Sequence, residues 1–355
     1  MKNCLSGCKF DFLHFPSPLA SDPMAHPVGV LRPCWWLAAA VVLTLLFPAQ
    51  VWSHGYAGKR FFPSTLATED PFVNDEFSLI GGYFEEAGED GGPVTRATEF
   101  EGEYTKTIFP KFGLTLGGAF AHLDPVGGGQ SHSAFGNLEV GLKYQFFTSP
   151  AHEALMSFGL NAEVGGTGDP NVEADSFSTI SPGLFFGIGM GELPESVKYL
   201  RPMAVTGELQ FNIPTESSSI EDEESVLNPT TMTWGVALEY SVPYLQAFVK
   251  DIGLGAPFNH FIPVVEVAAT TCLDRGCGGQ ITGTVNPGLI WIGRYLQFGL
   301  EAQIPINSRT GSSVGVLAQI HLFMDDLFPN SIGRPIFGNY TPRDVNSKFG
   351  TRNIK

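Results

Sequence analysis

Phe135-Gly-Asn-Leu-Glu-Val-Gly-Leu-Lys-Tyr-Gln-Phe146, a break Phe147-Thr-Ser-Pro-Ala-His152, and then Ala154-Leu-Met-Ser-Phe-Gly-Leu-Asn-Ala-Glu-Val164 decide how the chain is read. Leu138, Val140, Leu142, Tyr144 and Phe146 share one side of an extended chain, and Asn137, Glu139, Gly141, Lys143 and Gln145 the other. Met156, Phe158, Leu160, Ala162 and Val164 alternate with Ser157, Gly159, Asn161 and Glu163 in the same way. Strand side chains switch face at every residue, so the period is 2. A soluble sandwich alternates too, so segment size and face chemistry decide. Each segment runs about ten residues or more, against roughly five or six for an ordinary strand. Roughly nine to eleven tilted residues cross a bilayer. Large aromatic and aliphatic groups on one face, with small and polar groups on the other, is the pattern of a membrane barrel: lipid outside, water or polar packing inside.

Composition narrows the class. The 355 residues include 36 acidic against 20 basic, a formal net charge of −16. Nucleic-acid binders carry basic stripes, so nucleic acid is excluded as a partner. Only Trp35 to Phe47 is a long apolar run, which excludes a helical membrane protein. That run follows Arg32 and precedes Pro48-Ala-Gln-Val-Trp-Ser53. It is too short for a comfortable membrane span and fits an export signal. Residues 1–53 therefore read as a Sec-type signal cleaved near Ser53/His54, with 1–23 an upstream start-site artefact. Cys4, Cys8 and Cys34 leave with it. Cys272 and Cys277 remain in Cys-Leu-Asp-Arg-Gly-Cys and are expected to pair in an oxidising compartment. Two thiols alone lack the further ligands of a zinc site. No metal and no cofactor is expected.

Residues 54–74 show no periodicity and read as an irregular lead. From 75 to 323 the pattern predicts an all-β fold, a transmembrane antiparallel up-and-down β-barrel of about twelve strands. Residues 324–355 read as a polar periplasmic tail. The strand candidates are 75–85, 95–107, 112–122, 135–147, 153–165, 176–190, 200–213, 230–242, 258–270, 280–292, 294–306 and 312–323. Pro182, Pro263 and Pro287 mark bulges or strand ends, because proline cannot donate to a ladder. Longer glycine-rich loops alternate with shorter links, as outer-membrane barrels alternate long outer loops with short periplasmic turns. The exception is 243–257, long enough for a short helix. The outer loops are acidic (Glu216, Glu221 to Glu224), suited to divalent-cation bridges with lipopolysaccharide. The last strand ends on Phe323, the aromatic read by the outer-membrane assembly machinery.

Asn137-Leu-Glu-Val-Gly-Leu-Lys-Tyr-Gln-Phe, Gly191-Glu-Leu-Pro, Pro263-Val-Val-Glu-Val, Asn286-Pro-Gly-Leu and Gly299-Leu-Glu-Ala-Gln-Ile-Pro resemble the phenol-degradation meta-pathway (MetA-type) outer-membrane barrel family. The resemblance spans residues 75–323 and rests on strand patterns. It implies a transporter-like barrel for a small solute in a Gram-negative outer membrane, and it carries over no catalytic residue.

The residues that would line the lumen are Glu99, Glu101, Glu103, Glu139, Lys143, Glu163, Glu208, Glu239, Glu266 and Glu301, all on polar faces. Ionised groups persist inside a barrel only if hydrated or paired. An acidic wet lumen favours cations, which points to a passive channel or uptake porin. The alternative is a structural or loop-binding barrel with a closed lumen. An outer-membrane lipid-modifying enzyme is the third class. Neither Gly-x-Ser-x-Gly nor His-Glu-x-x-His is present, and a serine–histidine pair facing lipid is the feature that would revive that class.

Overall fold

A computed structural model describes residues 55–86, 94–221 and 224–338. The export signal with its cleavage site, the side chains of the acidic run 221–224 and the end of the tail lie outside the described residues. Twelve strands form the wall: β1 Glu76–Glu86, β2 Thr95–Phe109, β3 Phe112–Pro125, β4 Leu138–Ser149, β5 Ala154–Val164, β6 Thr179–Gly189, β7 Met203–Pro214, β8 Thr231–Tyr240, β9 Phe261–Cys272, β10 Ile281–Ile292, β11 Leu296–Pro305 and β12 Gly315–Phe323. Each pairs antiparallel with its sequence neighbours, and β12 pairs with β1 from Val316↔Tyr83 to Phe323↔Glu76. The barrel is closed, as the alternation predicts. In hydrocarbon every backbone N–H and C=O needs an internal partner, and a sheet edge would leave a row of them bare.

Most positions on the apolar side of the alternation face outward. Leu142, Met156, Phe158, Leu160, Leu184 and Leu300 are all exposed in the isolated chain. In water a continuous apolar belt would be an aggregation surface; here it is the face that meets lipid. The alternation breaks once in the opening hairpin. The β4–β5 register shifts between Tyr144 and Phe147, and Phe146 and Phe147 both end up exposed. Pro182 and Pro287 interrupt ladders as expected: β6–β7 pairing skips from Gly183↔Gln210 to Ile180↔Ile213, and β10–β11 pairing from Gly288↔Glu301 to Val285↔Ile304. Pro263 stands just past the last β8–β9 pair, Glu239↔Val264, and breaks no ladder with β10.

The β3–β4 seam is divided. Phe112 to Gly117 pair with Tyr144 to Glu139, while Phe120 to Leu123 pair with a short strand, His132–Phe135. The buried Asn137 amide fills the break. Its Nδ2 donates to Glu163 Oε1 (2.9 Å) and to the Asp175 carbonyl (2.9 Å), and its Oδ1 accepts from the Gly168 N–H (2.9 Å).

The start of β1 and the end of β12 lie at one rim, called lower below. The 241–260 link at that rim holds the expected short helix, Val242–Tyr244, continued by a π-turn over Leu245–Val249. Cys272 and Cys277 form a disulfide in an upper loop, with Cα atoms 5.7 Å apart. After β12 the tail makes a short helix, Met324–Leu327, and runs beneath the wall. There the Ile336 and Phe337 N–H groups donate to the Thr107 and Ile108 carbonyls (3.1 and 2.9 Å), and Phe337 stacks on Phe109. The tail read as polar thus binds the rim with apolar groups as well.

Replacing Leu142, midway along β4, with arginine is expected to cost about 2–4 kcal/mol, and the same change at Phe147 near the lower rim about 0–1 kcal/mol. Urea unfolding in lipid vesicles measures both. Equal costs would contradict this placement of the lipid belt.

Candidate functional site

The irregular lead is irregular in the structure, but it does not stay outside. It enters at the lower rim and occupies the lumen. Arg60 is fully buried there. Its Nη1 donates to the Pro202 carbonyl (2.7 Å) and its Nη2 to the Arg201 carbonyl. Its Nε lies 3.4 Å from Glu153, and the guanidinium sits 3.8 Å from the Tyr244 ring centre. Burial pushes the Arg60 guanidinium down, opposed by the Glu153 charge. Burial, then Glu153, pushes the Tyr244 phenol up to about 12.

Further in, the wall captures the lead's backbone group by group. Gln297 and Gln319 donate to the Ser64 and Thr65 carbonyls (2.6 and 3.1 Å). Three successive N–H groups, those of Leu66, Ala67 and Thr68, donate to the Glu266 carboxylate (2.7, 3.1 and 2.8 Å), and the Thr68 hydroxyl adds a fourth bond at 2.8 Å. Lys143 Nζ lies 2.7 Å from Glu69 and donates to the Asp70 carbonyl (2.7 Å). Ser157 donates to the Pro71 carbonyl. A segment without a ladder of its own must find such partners when buried.

The side chains of the lead account for the other half of the fit. Leu66 packs among Ala237, Ile262, Val264, Ile290 and Leu317. Phe62 and Phe72 pack with Ala57, Leu155 and Ala204. The expectation of a polar lumen is therefore corrected for the lower half, which holds an apolar core. β9 and β10 contribute apolar residues to both faces there, because they meet lipid on one side and the lead on the other.

Above the lead the lumen is a cavity of about 550 Å³. Its floor is Ser64 to Asp70, and its walls include Glu101, Glu103, Thr115, Glu139, Lys143, Asn161, Glu163, Ser181, Glu208, Gln210, Asn212 and His321. Six of the ten expected lumen residues are thus brought together: Glu101, Glu103, Glu139, Lys143, Glu163 and Glu208. Glu99 shares the face of Glu101, two residues nearer the upper rim. Glu239, Glu266 and Glu301 also point inward, yet they are sealed off at 2%, 0% and 2% exposure. The register sets Glu139 directly opposite Glu163, and places the bare Gly117 between Glu103 and Glu139. Like charges directly opposite on a sheet are destabilising. Sequence reasoning missed Glu69 and Asp70, because an aperiodic lead gives no face assignment. Phe323 turns inward, edge-on to Phe61 and His321.

A serine–histidine pair does occur on the outer wall: His122 Nδ1 lies 2.6 Å from Ser133 Oγ, in direct cross-strand register near the upper rim. Among the described residues no carboxylate meets the other ring nitrogen, as the acid that orients a catalytic imidazole would. Also among the described residues, no group of three or more His, Cys, Asp or Glu is arranged to hold a metal.

No family model and no curated protein matches the chain. Solved structures do. It is similar to the KdgM porin (9% identity, 70% of this chain and 98% of that one, TM-score 0.38) and to the NanC porin (6%, 70% and 98%, TM-score 0.42). It is also similar to the TodX deltaS2S3 mutant monoaromatic hydrocarbon channel (8%, 78% and 98%, TM-score 0.36). These are likenesses of barrel to barrel.

Glu266→Ala is expected to orphan the buried N–H groups of Leu66 and Thr68, at about 1–3 kcal/mol each, and the half-buried one of Ala67. Amide exchange at Leu66 to Thr68 should accelerate while the strand amides stay protected; unchanged exchange would show that the anchor lies elsewhere. The purified barrel is also expected to leave ester lipids intact, and turnover that disappears in Ser133→Ala would overturn that.

Proposed function

We propose that the chain is an outer-membrane channel for a small solute, entered through an acidic cup and closed on the periplasmic side by its own N-terminal lead. The observation that carries this is the polar cavity above a floor held by hydrogen bonds, ion pairs and packing. Such a floor can shift without breaking the wall. The lipid-facing belt, the closed sheet and the expected export signal support an outer-membrane location, with lipopolysaccharide around the upper loops. The strand phrases resembling the MetA-type family support uptake of a small molecule. Acidic walls raise the local concentration of cations and repel anions.

The same floor favours a second reading, a structural or loop-binding barrel whose lumen never opens. Single-channel recording in planar bilayers separates the two. The wild type is expected to give infrequent, cation-selective steps, and Glu266→Ala to give larger or more frequent ones. Stable insertion with no current from either protein would leave the structural reading standing.

A further inference from the structure

We propose that the cup binds a small organic polycation, a solute with two or more amines, along the row Glu103, Glu139 and Glu163. This rests on the cup being the channel entrance, and it names the class of solute that entrance takes.

Charge is the first reason. Of the carboxylates around the cavity, Lys143 answers Glu69 and His321 faces Glu76 at 3.4 Å. Glu139 and Glu163 are direct cross-strand partners, and Glu103 joins the same row two strands away. A wall that sets like charges side by side, facing open space, is completed by a cation arriving from solution.

Shape is the second. A Cβ at Gly117 would lie 3.5 Å from the Gly102 carbonyl oxygen, 3.7 Å from Glu139 Cβ and 3.8 Å from Glu103 Cγ. A side chain would fit at Gly117, and its absence leaves a bare strip of wall between two carboxylates, wide enough for a ligand's methylenes. From Glu103 to Glu163 is three inter-strand steps, roughly 14 Å at the usual strand spacing. One metal ion cannot touch carboxylates so spread, whereas amines strung along a carbon chain can. Asn161 on β5, and Gln210 and Asn212 on β7, line the same cavity with neutral amides. A further polar atom awaits a partner: His321, in the cavity wall and 1% exposed, has an Nδ1 with no hydrogen-bond partner among the described residues.

The test is calorimetric titration of the refolded protein in micelles with 1,4-diaminobutane, its uncharged counterpart butane-1,4-diol, and calcium chloride. Saturable binding of the diamine, with no binding of the diol and calcium at least tenfold weaker, is expected. The double change Glu139→Gln with Glu163→Gln, and separately Gly117→Lys, which puts the protein's own ammonium into the row, should each weaken diamine binding at least tenfold. The heat-dependent electrophoretic shift of folded barrels checks that each variant has folded. Equal binding of diamine and diol, equal binding of calcium, or undiminished binding by a folded variant overturns the proposal. Current recordings keep the two readings apart. Diamine binding by a barrel that passes no current keeps the site and removes the channel; current with no diamine binding keeps the channel and removes the site.

Discussion

Everything in this structure depends on one constraint: a chain that crosses lipid as strands must leave no strand edge unpaired. The pairing of β12 with β1 meets it. Once the sheet is closed, its two faces are committed to different solvents, and each strand must keep its period of 2 from rim to rim. Where the period slips, as at Phe146 and Phe147, the slip is a bulge that leaves both rings outside.

Closure also creates an interior to be filled. Twelve strands enclose more space than the side chains of a small barrel can occupy. The protein fills the lower half with its own N-terminal segment. Hydrophobic packing around Leu66 and Phe62 supplies the burial. Inward polar side chains supply partners for a backbone that has no ladder. Glu266 contributes most clearly, since one carboxylate takes three consecutive N–H groups and a hydroxyl. A residue that reads as lumen lining is in fact an anchor.

The upper half follows the opposite logic. The cup leaves Glu139 exposed and sets Glu139 and Glu163 side by side. Lys143 stands where the two halves meet: it holds Glu69 and the Asp70 carbonyl, and so fixes the floor of the cup to the wall.

The sequence by itself determined the wall. Alternation over about ten residues named both faces of most strands, and the loop lengths put the start of β1 and the end of β12 at one rim, because each depends only on neighbours along the chain. The disulfide was legible for the same reason, its two cysteines standing only five positions apart. The lead's place was not legible. Its anchors are distant, Thr68 and Glu266 being 198 residues apart, and its backbone bonds leave no periodic trace in residue type. One trace was available: Ile262, Val264 and Ile290 make β9 and β10 apolar on both faces, which a water-filled lumen does not require. The division of the glutamates into cup and anchor rests on which of them the lead covers, and only the tertiary structure decided that.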